Sequence, residues 1–273
     1  MSAESGWYSR SIGAPGPVSR LSVRRGEDHV FLEEPGAEEC GPRLRESEWR
    51  RVLGTADEMG FRLSRRRYGR GDLAYWRGEP TDGLYVVTMG ALMARRNRPN
   101  GKEATLRILG PWDHFGHVLL TERSGTIPAT STHAVVASEE CETVKVPKAF
   151  LRRICELHPA LVLSLVTLDN LRLVDQEEMA RCLVPRRVRN RLLELFPILT
   201  SKFGAPTESA EYAEIGLNLT HQNLAEMVSA TRESVTVALA ELCREGVVCA
   251  SAGRIQVHSS LAQSTGWIPP PPR

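Results

Sequence analysis

Apolar positions along the chain change their period twice, and each change marks a different kind of structure. Between residues 61 and 147 they fall in short β-type runs, at 83–89, 92–96, 104–109, 115–120, 132–137 and 141–146. Turn residues punctuate these runs: Thr-Asp-Gly at 81–83, Met-Gly at 89–90, Pro-Asn-Gly at 99–101 and Gly-Pro at 110–111. Many short strands at near-regular spacing predict a β-barrel or sandwich. Beyond Pro147 the period becomes helical. Phe150, Ile154 and Leu157 form one short amphipathic set, which His158-Pro159 interrupts. Pro159 suits the first turn of a new helix running to about Cys182, because the N–H it lacks has no helical partner there.

The apolar residues of this long helix allow two heptad registers. One passes through Leu161, Leu165, Leu168, Arg172, Asp175 and Met179, the other through Val162, Val166, Asp169, Leu173, Gln176 and Ala180. A helix that is apolar around much of its first half must bury more than one face. One face on the barrel and the other on a partner helix implies a dimer; a core helix of a monomer is the alternative. Pro185 breaks the pattern and marks a hinge. A further helix is expected over 188–199, followed by a polar loop or short hairpin over 201–217. Ahead of the barrel, residues 1–45 are rich in Gly, Pro, Ser and charge and read as a flexible arm with a short ordered piece at 30–32. Trp49, Val52 and Leu53 at helical spacing predict a short helix over 46–59, stopped by Gly60. The tail Ile-Pro-Pro-Pro-Pro-Arg at 268–273 is expected to be extended.

The densest pattern lies at 219–258. Thr220 is placed to cap a helix over 221–228, with Leu224, Met227 and Val228 inward and Ala225 small enough for a second helix to cross closely. Ser229-Ala230 makes a tight break, and Thr231 is placed to cap a second helix to about Arg244 with Val235, Ala238, Leu239 and Leu242 inward. Two short helices joined by so short a turn are a helix-turn-helix. Val-Val-Cys at 247–249, Ser-Ala-Gly at 251–253 and the run 254–257 then read as a two-stranded wing. The second helix opens on Arg232-Glu233. A recognition helix points its N-terminal residues at base edges, where Arg232 suits guanine O6 and N7 and Glu233 suits cytosine N4. Thr220, Gln222, Thr231, Ser234 and Thr236 share the two helix starts and complete the candidate DNA-contacting set.

Composition narrows the class without deciding it. The 273 residues suffice for two ordinary domains, with 25% charged and 41% hydrophobic residues in a soluble balance. The N-terminus lacks a signal-peptide core, and the longest apolar stretch, near 160–168, falls short of the ~20 residues of a membrane span. A cytoplasmic protein without a membrane partner is therefore expected. Six scattered cysteines with no CxxC pair argue against a zinc knuckle or disulfide framework, leaving reduced, mostly buried thiols. A net charge of +2 is too small to mark a nucleic-acid binder, so distribution matters more. Arg181, Arg186, Arg187, Arg189 and Arg191 precede the helix-turn-helix, and both phosphate contact and hinge solubility fit them. Arg65, Arg66, Arg67 and Arg70 lie on a predicted barrel strand and loop, with no reason to assign them to DNA.

A β-roll, a long helix and a winged helix-turn-helix in this order resemble the Crp/Fnr family, the cyclic-AMP receptor protein type. The resemblance runs from about Phe61 to His258 and is carried by GLYVVTMG at 83–90, NGKE at 100–103, DHFG at 113–116 and the block 220–246. It implies an α+β fold: an N-terminal β-roll of the cyclic-nucleotide-binding-like jelly-roll kind over 46–158, a long dimerisation helix over 159–184 and a C-terminal winged helix-turn-helix over 185–260. The arm 1–45 and the tail 261–273 flank these parts. The resemblance further implies a homodimer on a near-palindromic site, Arg232 and Glu233 as readers of a GTGA-like half-site, and RNA polymerase as a partner. Val237 stands where members of the family carry a further arginine, which alters one base contact.

The ligand pocket departs from the family. Cyclic-nucleotide binders follow Phe-Gly with a glutamate and place an Arg-Ser or Arg-Thr pair shortly after. Here Gly116 is followed by His117, and TIPATST at 126–132 holds no arginine for a phosphate. On the long helix, Gln176-Glu177 replaces the usual adenine-contacting Thr-Ser pair. The degenerate pocket would comprise Gly116, His117, Thr130, Ser131, Thr132, Arg172 and Gln176, and a response to cyclic AMP is not expected. His114, His117, His133 and Cys141 raise a haem or metal reading, but an odd separation on one strand turns His114 and His117 to opposite faces. A polar-pocket or surface role suits them better. With Cys40 alone before the barrel, no iron–sulfur centre is expected, and no cofactor is assigned. The alternatives are a cyclic-nucleotide-responsive or haem- or redox-responsive regulator of the same family and, more distantly, a cupin-like metal enzyme, which leaves 220–258 unexplained. The expectation is a DNA-binding regulator rather than an enzyme, an activator by family habit, with its effector unidentified.

Overall fold

The computed structural model describes residues 22–26, 29–33, 42–79, 82–97, 101, 103–116, 118, 130–207, 211–251 and 253–262. Residues 1–44 and 45–273 form separate compact units. In the first, β1 (Ser22–Gly26) and β2 (His29–Glu33) pair as an antiparallel hairpin, more than the short ordered piece expected at 30–32. The tail beyond residue 262 lies outside the described residues, as does Cys40.

Helix α1 (Pro42–Gly54) starts four residues earlier and ends sooner than its apolar spacing predicted. Pro42 suits a first turn, and Gly54 weakens the helix before Gly60 is reached. Turns fill 55–60, closed by the Phe61 amide donating to the Ala56 carbonyl at 2.8 Å. Trp49 and Val52 are fully buried, as their spacing required.

Eight strands follow: β3 (Ser64–Tyr68), β4 (Leu73–Tyr75), β5 (Gly83–Met89), β6 (Leu92–Asn97), β7 (Glu103–Leu109), β8 (His114–Phe115), β9 (Ala134–Ala137) and β10 (Cys141–Pro147). They form two four-stranded antiparallel sheets in the orders β3-β10-β5-β8 and β4-β9-β6-β7, the β-roll that the family resemblance implied. The β5–β6 turn depends on Gly90, whose φ is +75° and where a side chain would meet the Glu140 carbonyl. The strand expected over 115–120 is corrected to two residues. Gly116 takes a φ of +85° and ends the pairing, and a Cβ there would lie 2.8 Å from the Gly83 carbonyl oxygen. Residues 117 and 119–120 lie outside the described residues. β9 begins two residues later than expected because Ser131 is turned into a tight bend, its hydroxyl donating to the His133 carbonyl at 2.6 Å.

Helix α2 (Lys148–Leu157) leads into α3 (Pro159–Arg181), with Pro159 in the first turn as expected. The two registers of α3 differ in burial, with Val162, Leu165 and Arg172 half-buried between them. Leu161, Leu168, Asp175 and Met179 are buried within the chain, whereas Val166, Asp169, Leu173, Gln176 and Ala180 are exposed. Leu163 adds to this outer face. Helix α4 (Val188–Phe203) outruns its predicted end by one turn, and the expected hairpin follows as β11 (Gly204–Pro206) and β12 (Tyr212–Ile215). Helices α5 (His221–Met227) and α6 (Arg232–Arg244), strands β13 (Val248–Ser251) and β14 (Arg254–His258) and α7 (Ser259–Ala262) complete the chain. The third sheet runs β11-β12-β14-β13. The five described cysteines are free, but only Cys141 and Cys182 are buried; Cys155 and Cys249 are exposed, which corrects the expectation of mostly buried thiols.

One apolar core spans the bend at Pro185. Ala91, Met93 and Ile108 of the roll pack with Met179 of α3, Leu195 and Leu199 of α4, and Leu224 and Met227 of α5. Beside it lies a closed ring of four buried charges. Arg45 meets Asp113 at 3.3 Å and Asp175 at 2.7 Å, and Lys202 meets the same two carboxylates at 2.9 and 2.6 Å. The Gly110 amide also donates to Asp113 at 2.9 Å. Burial alone would raise the pKa of Asp113, but Lys202, Arg45 and Arg107 together hold its carboxyl below the ordinary value. Removing one member leaves its cations buried and short of a partner, so Asp175→Ala is expected to cost ~3–5 kcal/mol in urea unfolding. A loss under about 1 kcal/mol would show that surrounding water replaces the carboxylate.

Candidate nucleic-acid interface

The two helix starts near the C-terminus are built by side-chain caps. The Thr220 hydroxyl accepts from the Asn223 amide at 3.1 Å, and the Asn223 side chain accepts from the Thr220 amide at 3.0 Å, a reciprocal capping box. The Thr231 hydroxyl accepts from the Ser234 amide at 3.2 Å and caps α6. Leu224, Met227 and Val228 of α5 and Val235, Ala238, Leu239 and Leu242 of α6 are buried, the inner faces that the apolar spacing predicted. Ala225 is buried, and Ser229 takes the left-handed conformation that turns the chain between the helices. Gly253, with a φ of +79°, turns the wing from β13 to β14, where Asn218 leaves no room for a Cβ.

This packing leaves Arg232, Glu233, Ser234, Thr236 and Val237 exposed on one side of α6. Their polar groups are not equally available. The Thr236 hydroxyl donates to the Arg232 carbonyl at 2.9 Å and lies 2.8 Å from His221 Nδ1. Ser234 and Thr231 hydroxyls are 3.0 Å apart, and the Gln222 amide donates to Glu226 at 2.9 Å. Among the described residues nothing pairs with the Arg232 guanidinium. Thr220, His221, Gln222, Arg232 and Arg254 line an open cleft of about 540 Å³ between the helices and the wing, and no carboxylate lines it. His221 and Arg254 were not among the residues singled out from sequence. An arginine directly after the glycine of a wing turn is the signal that would have found the second.

The arginine cluster before the helix-turn-helix divides in two. Arg181 pairs with Glu194 at 3.3 Å and Arg189 with Glu245, while Arg191 donates to the Pro185 carbonyl at 2.7 Å and the Val228 carbonyl at 2.9 Å. Arg191 thus ties the end of α5 to the start of α4 and is structural. Arg186 and Arg187 are exposed. On the roll, Arg65 and Arg67 both pair with Glu142, at 3.2 and 3.0 Å.

Comparison with known proteins agrees with this arrangement. Residues 65–158 match the cyclic nucleotide-binding domain family and residues 186–260 the Crp-like helix-turn-helix domain family. A global nitrogen regulator of Synechococcus elongatus is 28% identical over 198 residues, 72% of this chain and 87% of that protein. A CRP-like cAMP-activated global transcriptional regulator of Mycobacterium tuberculosis is 29% identical over 183 residues, 66% of this chain and 77% of that protein. Among solved structures, a CRP/FNR-family regulator of Thermus thermophilus superposes with a TM-score of 0.57 at 24% identity, over 74% of this chain and all of that one. The c-di-GMP-responsive global regulator CLP of Xanthomonas campestris gives 0.61 at 21% identity, over 75% of this chain and 98% of that one. The chain belongs to the Crp/Fnr family.

In this Crp/Fnr transcription regulator the roll interior is filled by rings. Tyr85 and Phe115 stack at 5.1 Å with 7° between their planes, and Tyr75 from the facing sheet meets them at 5.4 and 5.8 Å. The candidate pocket residues differ in burial. Gly116 and Ser131 are buried, Thr130, Thr132 and Gln176 are exposed, and Arg172 is bound to Asp169 on its own helix at 2.6 Å. His117 lies outside the described residues, and so does the whole stretch 119–129. No helix among the described residues is long and apolar enough to cross a membrane, and no cluster of three metal-ligating side chains occurs among them.

Of the two roles expected for His114 the surface one is corrected: the side chain is buried, with Arg107, Arg172 and Asp113 around it. It is buried edge-on against Trp49, with ring centroids 5.4 Å apart. Burial first, then the charges of Arg107 and Arg172, push its pKa from 6.5 to about 3. The imidazole therefore stays neutral when folded, while the unfolded chain takes up a proton below about 6.5. Between these values the unfolded state binds more protons, so stability falls as pH drops, at up to ~1.4 kcal/mol per pH unit. Between about pH 6 and 5, above the midpoints of ordinary carboxylates, His114→Phe should flatten the unfolding free energy by close to that slope. An unchanged slope would mean that the imidazole titrates freely in the folded protein.

Proposed function

We propose that this regulator acts as a homodimer that reads a near-palindromic DNA site, with Arg232 and Glu233 as base readers, and that it works without cyclic AMP. The exposed Arg232 guanidinium at the start of α6, on a helix whose inner face is fully packed, carries the reading. A recognition helix needs that combination: a rigid frame and an unpaired donor fork at its N-terminal end. Arg186 and Arg187 supply charge for phosphates, as does Arg254, which is largely exposed although it lies 3.4 Å from Glu214, with Thr220, Gln222, Thr231, Ser234 and Thr236 around the helix starts. The roll over 46–158, the helix over 159–184 and the reader over 185–260 are its working parts, in the cytoplasm, with RNA polymerase as partner and activation as the usual outcome.

Two observations support the rest. Leu163, Val166 and Leu173 form an outward apolar seam on α3, all at least half exposed, which a second copy's α3 would bury. One relative is a cAMP-activated regulator and a structural neighbour is c-di-GMP-responsive, so effectors differ among similar proteins. Here His117 follows Gly116 and no arginine occurs over 126–132, which leaves a cyclic phosphate without a guanidinium.

The test is selection from a random duplex pool with the ligand-free full chain, repeated with added cyclic AMP. An enriched palindrome with GTGA-like halves, unchanged by the nucleotide, is expected. Failure of a folded dimer to enrich any site would refute the reading. Arg232→Ala should lose ~1–3 kcal/mol on the selected site and far less on random DNA. Leu173→Glu should leave the thermal unfolding profile of the protomer intact and shift sedimentation to the monomer; an unshifted dimer would place the interface elsewhere.

A further inference from the structure

Val237 has no structural reason to be where it is. It is 60% exposed, takes no part in the core against which α6 packs, and as a β-branched residue is a weaker helix former than alanine or lysine. Glu233, Val237, Ala240 and Arg244 stand at i, i+4, i+7 and i+11, one outward stripe of α6, so Val237 and Ala240 form an apolar spot in the middle of a polar face. Beside this spot the Thr236 hydroxyl is held by the Arg232 carbonyl and His221, and that of Ser234 by Thr231. Val237 thus presents a rigid apolar surface on the face that the DNA-binding reading turns toward the major groove. A valine side chain neither donates nor accepts a hydrogen bond. The one apolar feature of a natural base edge in that groove is the thymine C5-methyl group.

We propose that Val237 contacts a thymine methyl group and so specifies an A·T pair within each half-site. The proposal rests on the base-reading role of α6 argued above. Arg232 and Val237 lie about 7.5 Å apart along the helix axis, so they address different base pairs, whose spacing is about 3.4 Å. The α6 code is then mixed: hydrogen bonding at the first turn, methyl contact at the second.

The experiment uses the full chain and the selected duplex, with each thymine of one half-site replaced in turn by uracil, which removes only the methyl group. At one position binding should weaken about fourfold, the equivalent of ~0.8 kcal/mol for one buried methyl. Val237→Ala should bind the thymine site more weakly and lose most of that sensitivity, while its preference at the position read by Arg232 stays as in the unsubstituted protein. If every thymine-to-uracil change is neutral, or if Val237→Ala retains the same fourfold effect, the assignment of Val237 is overturned while the base-reading role of α6 stands. If no site is enriched at all, both readings fall together.

Discussion

The ring formed by Arg45, Asp113, Lys202 and Asp175 is the constraint on which the arrangement of residues 45–273 depends. Its members come from α1, the turn between β7 and β8, α3 and α4. Each carboxylate lies between two cations and each cation between two carboxylates, so no charge in the ring is left uncompensated. Taking four charges from water is expensive, and their attraction offsets the cost only with close geometry and extra hydrogen bonds. Both conditions hold: contacts of 2.6 to 3.3 Å, with the Gly110 amide and the Leu171 carbonyl as further partners. Apolar packing tolerates sliding; four alternating charges close in one register of the four elements.

That register decides where the DNA-binding helices stand. Lys202 sits in the last turn of α4, the helix that opens the region matched by the Crp-like helix-turn-helix family. With α4 held to the roll and to α3, the core from Ala91 through Met179 and Leu195 to Leu224 is continuous, and Arg95 of β6 reaches Glu226 of α5 at 3.6 Å. Pro185 is therefore a bend in the chain without being a gap in the packing.

Much of this was legible in the sequence where a feature is local. The caps Thr220 and Thr231, the inner faces of α5 and α6 and the start of α3 at Pro159 each follow from residues within a turn or two of one another. The two α3 registers were legible as well, because exposure of one and burial of the other follow from a 3.6-residue period. The ring was not. Its members are scattered over more than half of the chain with no period, and Asp175 shows in sequence only as a polar residue in an apolar register. The burial of His114 was hidden for a related reason: Trp49, which covers it, comes from α1, far away in the sequence. The two-residue β8 was overextended because the left-handed Gly116 stops a pattern that hydrophobicity alone would continue.

The same physics separates framework from reader in the DNA-binding region. The Thr220 and Thr231 hydroxyls cap unpaired amides at the helix starts, while the Thr236 hydroxyl is bound to the Arg232 carbonyl and that of Ser234 to Thr231. Such groups hold α6 at its start, and a helix held by several short bonds is what the proposed base reading by Arg232 requires. A guanidinium selects guanine over other bases only if its fork arrives in the plane of the base edge, and a loose helix would let the same charge settle on any phosphate. On the proposed reading, specificity is a product of rigidity built from residues that need touch no base, and the ring at the far end of α4 is the start of that chain of constraint.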